Sequence, residues 1–244
     1  MKIEVLFPEI CNLYGDLFNV KYLKECLPEC QIVNTSLKDE PLFLTEKPDL
    51  IYMGTTTESG QQLIIDKLLP YKEKVIDCID SGYNFLFTGN AMEVLFNEII
   101  EEDKKICDGL GIFDLSAKRK ARKRFNSLYV GCFNEQNFNE PIKIVGFKSL
   151  FGFAYGKTDL YPLFITERGD GMNKECKEEG IRKNNFFGTY ITGPLLVLNP
   201  VFTKWFMSEI MEVPNPVLAF EDAAMDAYND RVKEYTDSNT GIYY

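Results

Sequence analysis

Apolar residues fall in short blocks through the first hundred positions, and the blocks alternate between two periods. Ile3 to Phe7 is an apolar-rich run of strand length. A polar loop, Asn12-Leu13-Tyr14-Gly15-Asp16, separates it from a stretch in which Val20, Leu23, Cys26 and Leu27 recur at helical spacing. Ile32-Val33 and Leu50-Ile51-Tyr52-Met53 predict two further short strands, the second running into the turn Gly54-Thr55-Thr56-Thr57. A helix carrying Leu63, Ile64, Leu68 and Leu69 follows, and another with Val75, Ile76 and Ile79 stops at Gly82, a helix-terminating residue. Phe85-Leu86-Phe87 then predicts a strand that passes through Thr88-Gly89-Asn90 into a helical pattern of Met92, Leu95, Phe96 and Ile99. Strand, glycine turn, helix is the layout of a nucleophile elbow.

Alternating short strands and helices predict an α/β fold with a doubly wound, mostly parallel sheet, in which ligands sit beyond the carboxyl ends of the strands. Gly54 and Gly89 both fall at such ends. From about Gly109 to Tyr190 the pattern changes to short strands, among them Ile112-Phe113, Ser127 to Val130 and Lys143 to Phe147, which predict an antiparallel extension of the same domain. The chain returns to helix from Val217 to Tyr235, with Pro216 near its first turn, and its last residues are polar and expected to fray. Residues 1–244 are expected to form one domain.

Composition narrows the function. The sequence has 27 Lys and Arg against 37 Asp and Glu, a formal charge of -10, which argues against nucleic acid or anionic membrane as partners. The start, with Glu4 and Pro8, lacks the apolar core of a signal peptide, and no apolar run is long enough to span a bilayer, so no membrane insertion and a cytoplasmic location are expected. Seven cysteines, at 11, 26, 30, 78, 107, 132 and 176, lack disulfide-scaffold or zinc-knuckle spacing and read as free thiols. Cys26 and Cys30 would share a helix face, yet two thiols make a poor metal site, so neither metal nor cofactor is expected. There is no histidine, and every mechanism that needs an imidazole base falls with it.

Four segments, in order, carry a resemblance. They are Asn12-Leu13-Tyr14-Gly15-Asp16-Leu17-Phe18-Asn19, Gly54-Thr55-Thr56-Thr57-Glu58-Ser59-Gly60-Gln61, Leu86-Phe87-Thr88-Gly89-Asn90-Ala91-Met92-Glu93, and Gly188-Thr189-Tyr190-Ile191-Thr192-Gly193-Pro194-Leu195-Leu196 with Asn199-Pro200 after it. Together they resemble the GatD family, the glutamine amidotransferase subunits of lipid II isoglutaminyl synthase, related to the amidotransferase domain of cobyric acid synthases. Ile144 to Phe147 and Glu179 to Ile181 also fit. The resemblance implies a class I glutamine amidotransferase fold of flavodoxin-like kind, a Mur-ligase-like synthetase as partner, and a thiolate that attacks the side-chain amide of glutamine to release ammonia.

The resemblance also marks what is missing. Gly89 falls on the nucleophile position, with Thr88 beside it, and Thr192 on the position of the histidine base. A glycine has no nucleophile, and a threonine hydroxyl cannot accept and return a proton near neutral pH. Slipping the register to put Thr88 at the elbow places a β-branched residue on a strained backbone with no base for its hydroxyl. The oxyanion region around Gly54, Thr55, Thr56, Asn90 and Gly193 has Thr55 and Thr56 in place of glycines, and Glu93 stands where its charge would repel a substrate carboxylate. Each feature has a structural reading too: a hydrogen-bonded turn at Thr55 to Thr57, a helix N-terminal carboxylate at Glu58, a packing bend at Gly89. The leading expectation is an amidotransferase-like subunit without glutaminase activity, in peptidoglycan amidation. The alternatives are a binding module for a glutamine-like small molecule, or changed chemistry using Thr88, Glu58 or Glu93, with cobalamin-type amidation as another setting. The run Lys118 to Arg124 is either an anion contact or a solvated hairpin.

Overall fold

The computed structural model describes residues 1–120, 122–135 and 138–244. The first half folds as its periodicity dictates. Strand β1 (Lys2–Leu6) leads through a loop to helix α1 (Phe18–Cys26), followed by β2 (Gln31–Thr35), β3 (Leu50–Met53), α2 (Glu58–Leu68), α3 (Lys72–Asp80) and β4 (Phe85–Thr88). Thr57 caps α2 by accepting from the Gly60 amide at 3.1 Å, and Glu58 occupies its first turn, where a carboxylate favours the helix dipole.

After β4 the structure departs from the helix expected through Met92, Leu95, Phe96 and Ile99. Gly89–Leu95 form a 3-10 segment, and β5 (Phe96–Glu101) begins at once. The apolar spacing fits a helix, but Ile99 and Ile100 suit a pleated surface, and β5 is hydrogen-bonded on both sides, by β6 (Lys104–Asp108) and β7 (Phe113–Arg119). Tertiary pairing overrides the local period. The remaining strands are β8 (Phe125–Phe133), β9 (Ile142–Leu150), β10 (Gly152–Gly156), β11 (Phe164–Arg168), β12 (Glu178–Glu179), β13 (Ile181–Lys183) and β14 (Phe186–Thr189).

Three sheets result. The main one runs β13-β14-β4-β3-β1-β2, parallel throughout except at β13. The extension consists of two four-stranded sheets, β10-β7-β5-β6 and β12-β11-β8-β9, antiparallel apart from the β5–β7 pair. The central strands of the main sheet are covered on both faces, as a parallel sheet requires: β3 and β4 are wholly buried, while the edge strands β2 and β13 are only partly so. One core cluster joins Met53, Ile64 and Phe87 of the main sheet side to Phe96, Phe113, Leu115 and Phe153 of the extension. A second lies on the other face, where Tyr52, Leu86 and Phe187 meet Phe202, Phe206 and Met207.

The chain closes with helices α4 (Leu195–Leu198), α5 (Pro200–Trp205) and α6 (Glu221–Thr236). α6 starts four residues later than the expected Val217, because Phe220 takes a left-handed φ of 54° that no helix can continue backwards through; Pro216 therefore lies outside it. The C-terminal residues do not fray. Ile242 accepts from the Leu128 amide at 2.8 Å, the Tyr243 hydroxyl donates to Asp170 at 2.9 Å, and the Arg168 guanidinium binds the carbonyls of Asp237 and Thr240. All seven cysteines are free, and Cys30 lies beyond the end of α1, so it shares no helix face with Cys26.

Candidate active site

The polar residues of the four motifs converge at the carboxyl ends of β1, β3, β4 and β14. β1 has β2 on one side and β3 on the other, so the loops leaving β1 and β3 diverge and open the crevice where open α/β sheets bind ligands. Gly54 ends β3 with its Cα against the loop from β1; a Cβ there would lie 2.8 Å from the Cys11 carbonyl oxygen. That close approach brings Thr55 to Asp16.

Asp16 is fully buried and organises the site. Its Oδ2 accepts from the Thr55 amide at 2.9 Å, from the Thr55 hydroxyl, and from the Thr88 hydroxyl at 2.9 Å. Burial raises its pKa, and the hydrogen bonds from Thr55 and Thr88 pull the other way. Behind it, the Tyr52 hydroxyl donates to the Asp16 carbonyl at 2.8 Å, lies 2.9 Å from the Thr88 hydroxyl, and accepts from Asn19 at 3.1 Å. Burial holds the Tyr52 phenol well above its usual pKa, and the Asp16 charge adds to this, so Tyr52 is a donor and not a base.

Gly89 follows directly, with φ +62°, the left-handed conformation in which a nucleophile elbow presents its side chain. No side chain could stand there in this structure. A Cβ on Gly89 would overlap the Thr55 hydroxyl, 2.8 Å from Thr55 Cβ and 2.9 Å from its Cγ2. Thr88, by contrast, has an ordinary extended backbone, is buried, and spends its hydroxyl on Asp16 and Tyr52.

The next turn is tied to α2. Asn90 accepts from the Thr56 amide at 3.0 Å and donates to the Thr56 carbonyl at 2.9 Å, while Gln61 donates to the Asn90 carbonyl at 2.6 Å and to Glu93 at 2.9 Å. Glu93 does not confront the cleft as a bare charge. Arg119 pairs with it at 3.3 Å, and the Tyr190 hydroxyl donates to it at 2.9 Å. Burial, with the Glu93 carboxylate second, pushes the Tyr190 phenol well above its ordinary range. Arg119 belongs to the basic run and is buried in this pair, whereas Lys118, Lys120, Arg122, Lys123 and Arg124 are exposed; β7 and β8 lie in different sheets, so the run is solvated over most of its described residues but is not a hairpin. Ala121, within the run, lies outside the described residues.

Thr192 reaches the site from β14. It bridges to Phe147 of β9, its amide donating to the Phe147 carbonyl at 2.9 Å and its hydroxyl to the same oxygen at 3.1 Å. That hydroxyl is a committed donor. Below Thr189, Glu179 accepts from the Thr189 hydroxyl and the Tyr190 amide, each at 2.8 Å, and pairs with buried Lys148.

The result is a cleft of about 120 Å³. Thr55, Thr56, Gly89, Asn90, Glu93 and Thr192 line it; Gly54, Thr88 and Gly193 stand behind the lining. Tyr14 joins from the first motif, Arg119 and Arg124 from the basic run read as a possible anion contact, and Ser149 from a segment outside the motifs; none of the four had been placed in this site. Asp16 was within a quoted motif but carried no assigned role; the available signal was a lone carboxylate within the loop after an apolar strand. The nearby Cys11 is no substitute nucleophile, since burial pushes its thiol up to about 12.

Two solved structures carry the same fold as this doubly wound sheet with its glycine turn at the end of β4. They are PurLQS of Thermotoga maritima (TM-score 0.52, 11% identity, 95% of this chain and 98% of that one) and a glutamine amidotransferase of the same organism (TM-score 0.52, 9% identity, 94% and 92%). The chain belongs to the CobB/CobQ-like glutamine amidotransferase domain family, whose model matches residues 2–199. Within the family it is similar to two proteins named GatD, subunit of the glutamine-hydrolysing lipid II isoglutaminyl synthase, from Streptococcus pneumoniae R6 and Staphylococcus aureus N315. Each is 28% identical over 203 residues, covering 82% of this chain and 76% and 80% of the relatives.

Proposed function

We propose that this chain is a GatD-like amidotransferase subunit in lipid II amidation that does not itself hydrolyse glutamine. One observation carries the reading: at the elbow the backbone takes the left-handed form but bears no side chain, and Thr55 fills the space that a nucleophile would need. Thr192, with its hydroxyl donated to Phe147, offers no base. Gly89 is the former nucleophile position, Thr192 the former base position, and Gly54, Thr55, Thr56, Asn90 and Gly193 the remnant oxyanion region.

The naming of both relatives as synthase subunits supports a partner, and on this reading it is a Mur-ligase-like synthetase. The chain acts in the cytoplasm as one domain, the core cluster shared by main sheet and extension supporting the latter. No helix of the described residues is long and apolar enough to cross a membrane. Affinity capture of the tagged chain from its native cells tests the partnership. A stable Mur-ligase-like protein in the captured material is expected; capture without one counts against it.

A second reading has its own support. The cleft remains open beside Gly89, with Arg124 and Ser149 on its wall, which suits a retained glutamine-like ligand. Calorimetry with glutamine and glutamate tests this, and no heat from either removes it. Changed chemistry at the same place has less to work with, since Thr88 is turned away from the cleft and Glu93 is paired, which leaves Glu58, on the cleft wall at the start of α2, as its one remaining candidate.

A further inference from the structure

A second cavity, of about 330 Å³, opens between the β7–β10 edge and the start of β8. Its floor is aromatic: Phe125 and Phe153 lie with ring centroids 4.8 Å apart, and Tyr155 continues the surface along β10. Its rim is basic, with Lys118, Lys120, Lys123 and Lys174 all exposed. Acidic residues outnumber basic ones in this chain by 37 to 27, yet none of these four lysines has an ion-pair partner among the described residues. Three of the ammonium groups rest on the rings instead: Lys118 lies 5.0 Å from the Tyr155 centroid, Lys123 5.2 Å and Lys174 5.0 Å from that of Phe125.

Four converging lysines against the two carboxylates of Glu102 and Asp103 leave the rim net positive, and contacts with ring faces offset the repulsion only weakly. An anion entering the cavity would relieve the repulsion while the lysines swing off the rings and leave their faces free for stacking. Glu102 and Asp103, at the turn between β5 and β6, line the cavity next to the end of β7, where the Glu102 amide donates to the Arg119 carbonyl at 3.2 Å. Carboxylates there keep anionic groups on the lysine side and accept hydrogen bonds from hydroxyls. Aromatic floor, basic rim and acidic wall match, in turn, a base, a phosphate group and a sugar.

We propose that this cavity is a nucleotide-binding site, taking a nucleoside diphosphate with its base on the half-buried rings of Phe125 and Tyr155 and its phosphates on Lys118, Lys123 and Lys174. It is separate from the cleft at Gly89 and stands whether or not that cleft has lost its activity. Arg119 lines both and joins their walls.

Calorimetry on the full chain at low salt tests it, with uridine diphosphate, adenosine diphosphate, uridine, inorganic pyrophosphate and a poly-glutamate peptide as probes. At least one nucleoside diphosphate is expected to bind about tenfold or more tighter than pyrophosphate, uridine or the peptide. The Lys118→Glu/Lys174→Glu variant is expected to lose about tenfold in that affinity with an unchanged melting temperature, since both side chains are exposed and unpaired; Lys123→Glu, in a different segment, provides the same test should the double variant fold poorly. Absence of heat from both diphosphates, equal binding of pyrophosphate or the peptide, or unchanged affinity in the folded charge-reversal variants overturns the proposal.

Discussion

The side chain of Thr55 occupies the place where a Cβ on Gly89 would be. In sequence these are unrelated substitutions in two motifs; in space they are one contact, held by Asp16 through both the amide and the hydroxyl of Thr55. On the proposed reading, the absent nucleophile and the filled oxyanion turn are therefore one packing feature, which a one-residue reversal would not undo.

Gly89→Cys alone is expected to destabilise the protein by about 2 kcal/mol or more, because it adds left-handed strain to a steric overlap. Thr55→Gly opens the space but forfeits the hydroxyl's hydrogen bond to Asp16, while the amide's remains, so it costs stability as well. The double variant should lose less than the sum, with a coupling of about 1 kcal/mol or more, measurable in a denaturant double-mutant cycle. Additive effects would mean that Thr55 does not fill the space.

Rebuilding chemistry requires all three positions. Thr55→Gly/Gly89→Cys/Thr192→His is expected to form a covalent adduct with a glutamine-analogue electrophile, detected as a mass increase of the intact protein. Gly89→Cys/Thr192→His, which keeps Thr55, is expected to form at least about tenfold less. Equal labelling of the two would place the obstruction elsewhere.

The fold was largely legible in the sequence because the parallel sheet is buried on both faces, and burial on both faces writes continuous apolar runs such as Leu50–Met53 and Phe85–Phe87. The family was legible from four ordered motifs. What was not legible depends on contacts distant in the chain. Met92 to Ile99 carries a helical spacing that pairing with β6 and β7 overrides, and Glu93 reads as a bare charge until Arg119, 26 residues on, is seen against it. The Thr55–Gly89 contact likewise depends on how closely β3 and β4 lie.

Asp16 gives a pH dependence of definite sign. Its folded pKa is raised above the ordinary 3.8, so the native state binds more protons than the unfolded one between the two values. Its contribution is therefore fully present below the ordinary value and is lost as pH rises through the folded value. Asp16→Asn, which cannot titrate, is expected to melt below the wild type at about pH 4, with the gap narrowing as pH rises above the ordinary carboxylate range. A gap that widens with pH would contradict the raised value.

The buried pair of Lys148 and Glu179 holds Thr189 and Tyr190 beneath the cleft. Lys148→Met leaves Glu179 buried without its cation and is expected to cost about 3–5 kcal/mol. Adding Glu179→Gln, which keeps an acceptor for Thr189 and the Tyr190 amide, should recover a substantial part of this in thermal or denaturant unfolding.

The central claim, that this amidotransferase scaffold no longer hydrolyses glutamine, is tested most directly by measuring ammonia release from glutamine by the purified wild-type chain. The geometry at Gly89, Thr55 and Thr192 predicts a rate indistinguishable from buffer. Ammonia release above that background, abolished by Thr88→Ala or Thr192→Ala in folded protein, would contradict it.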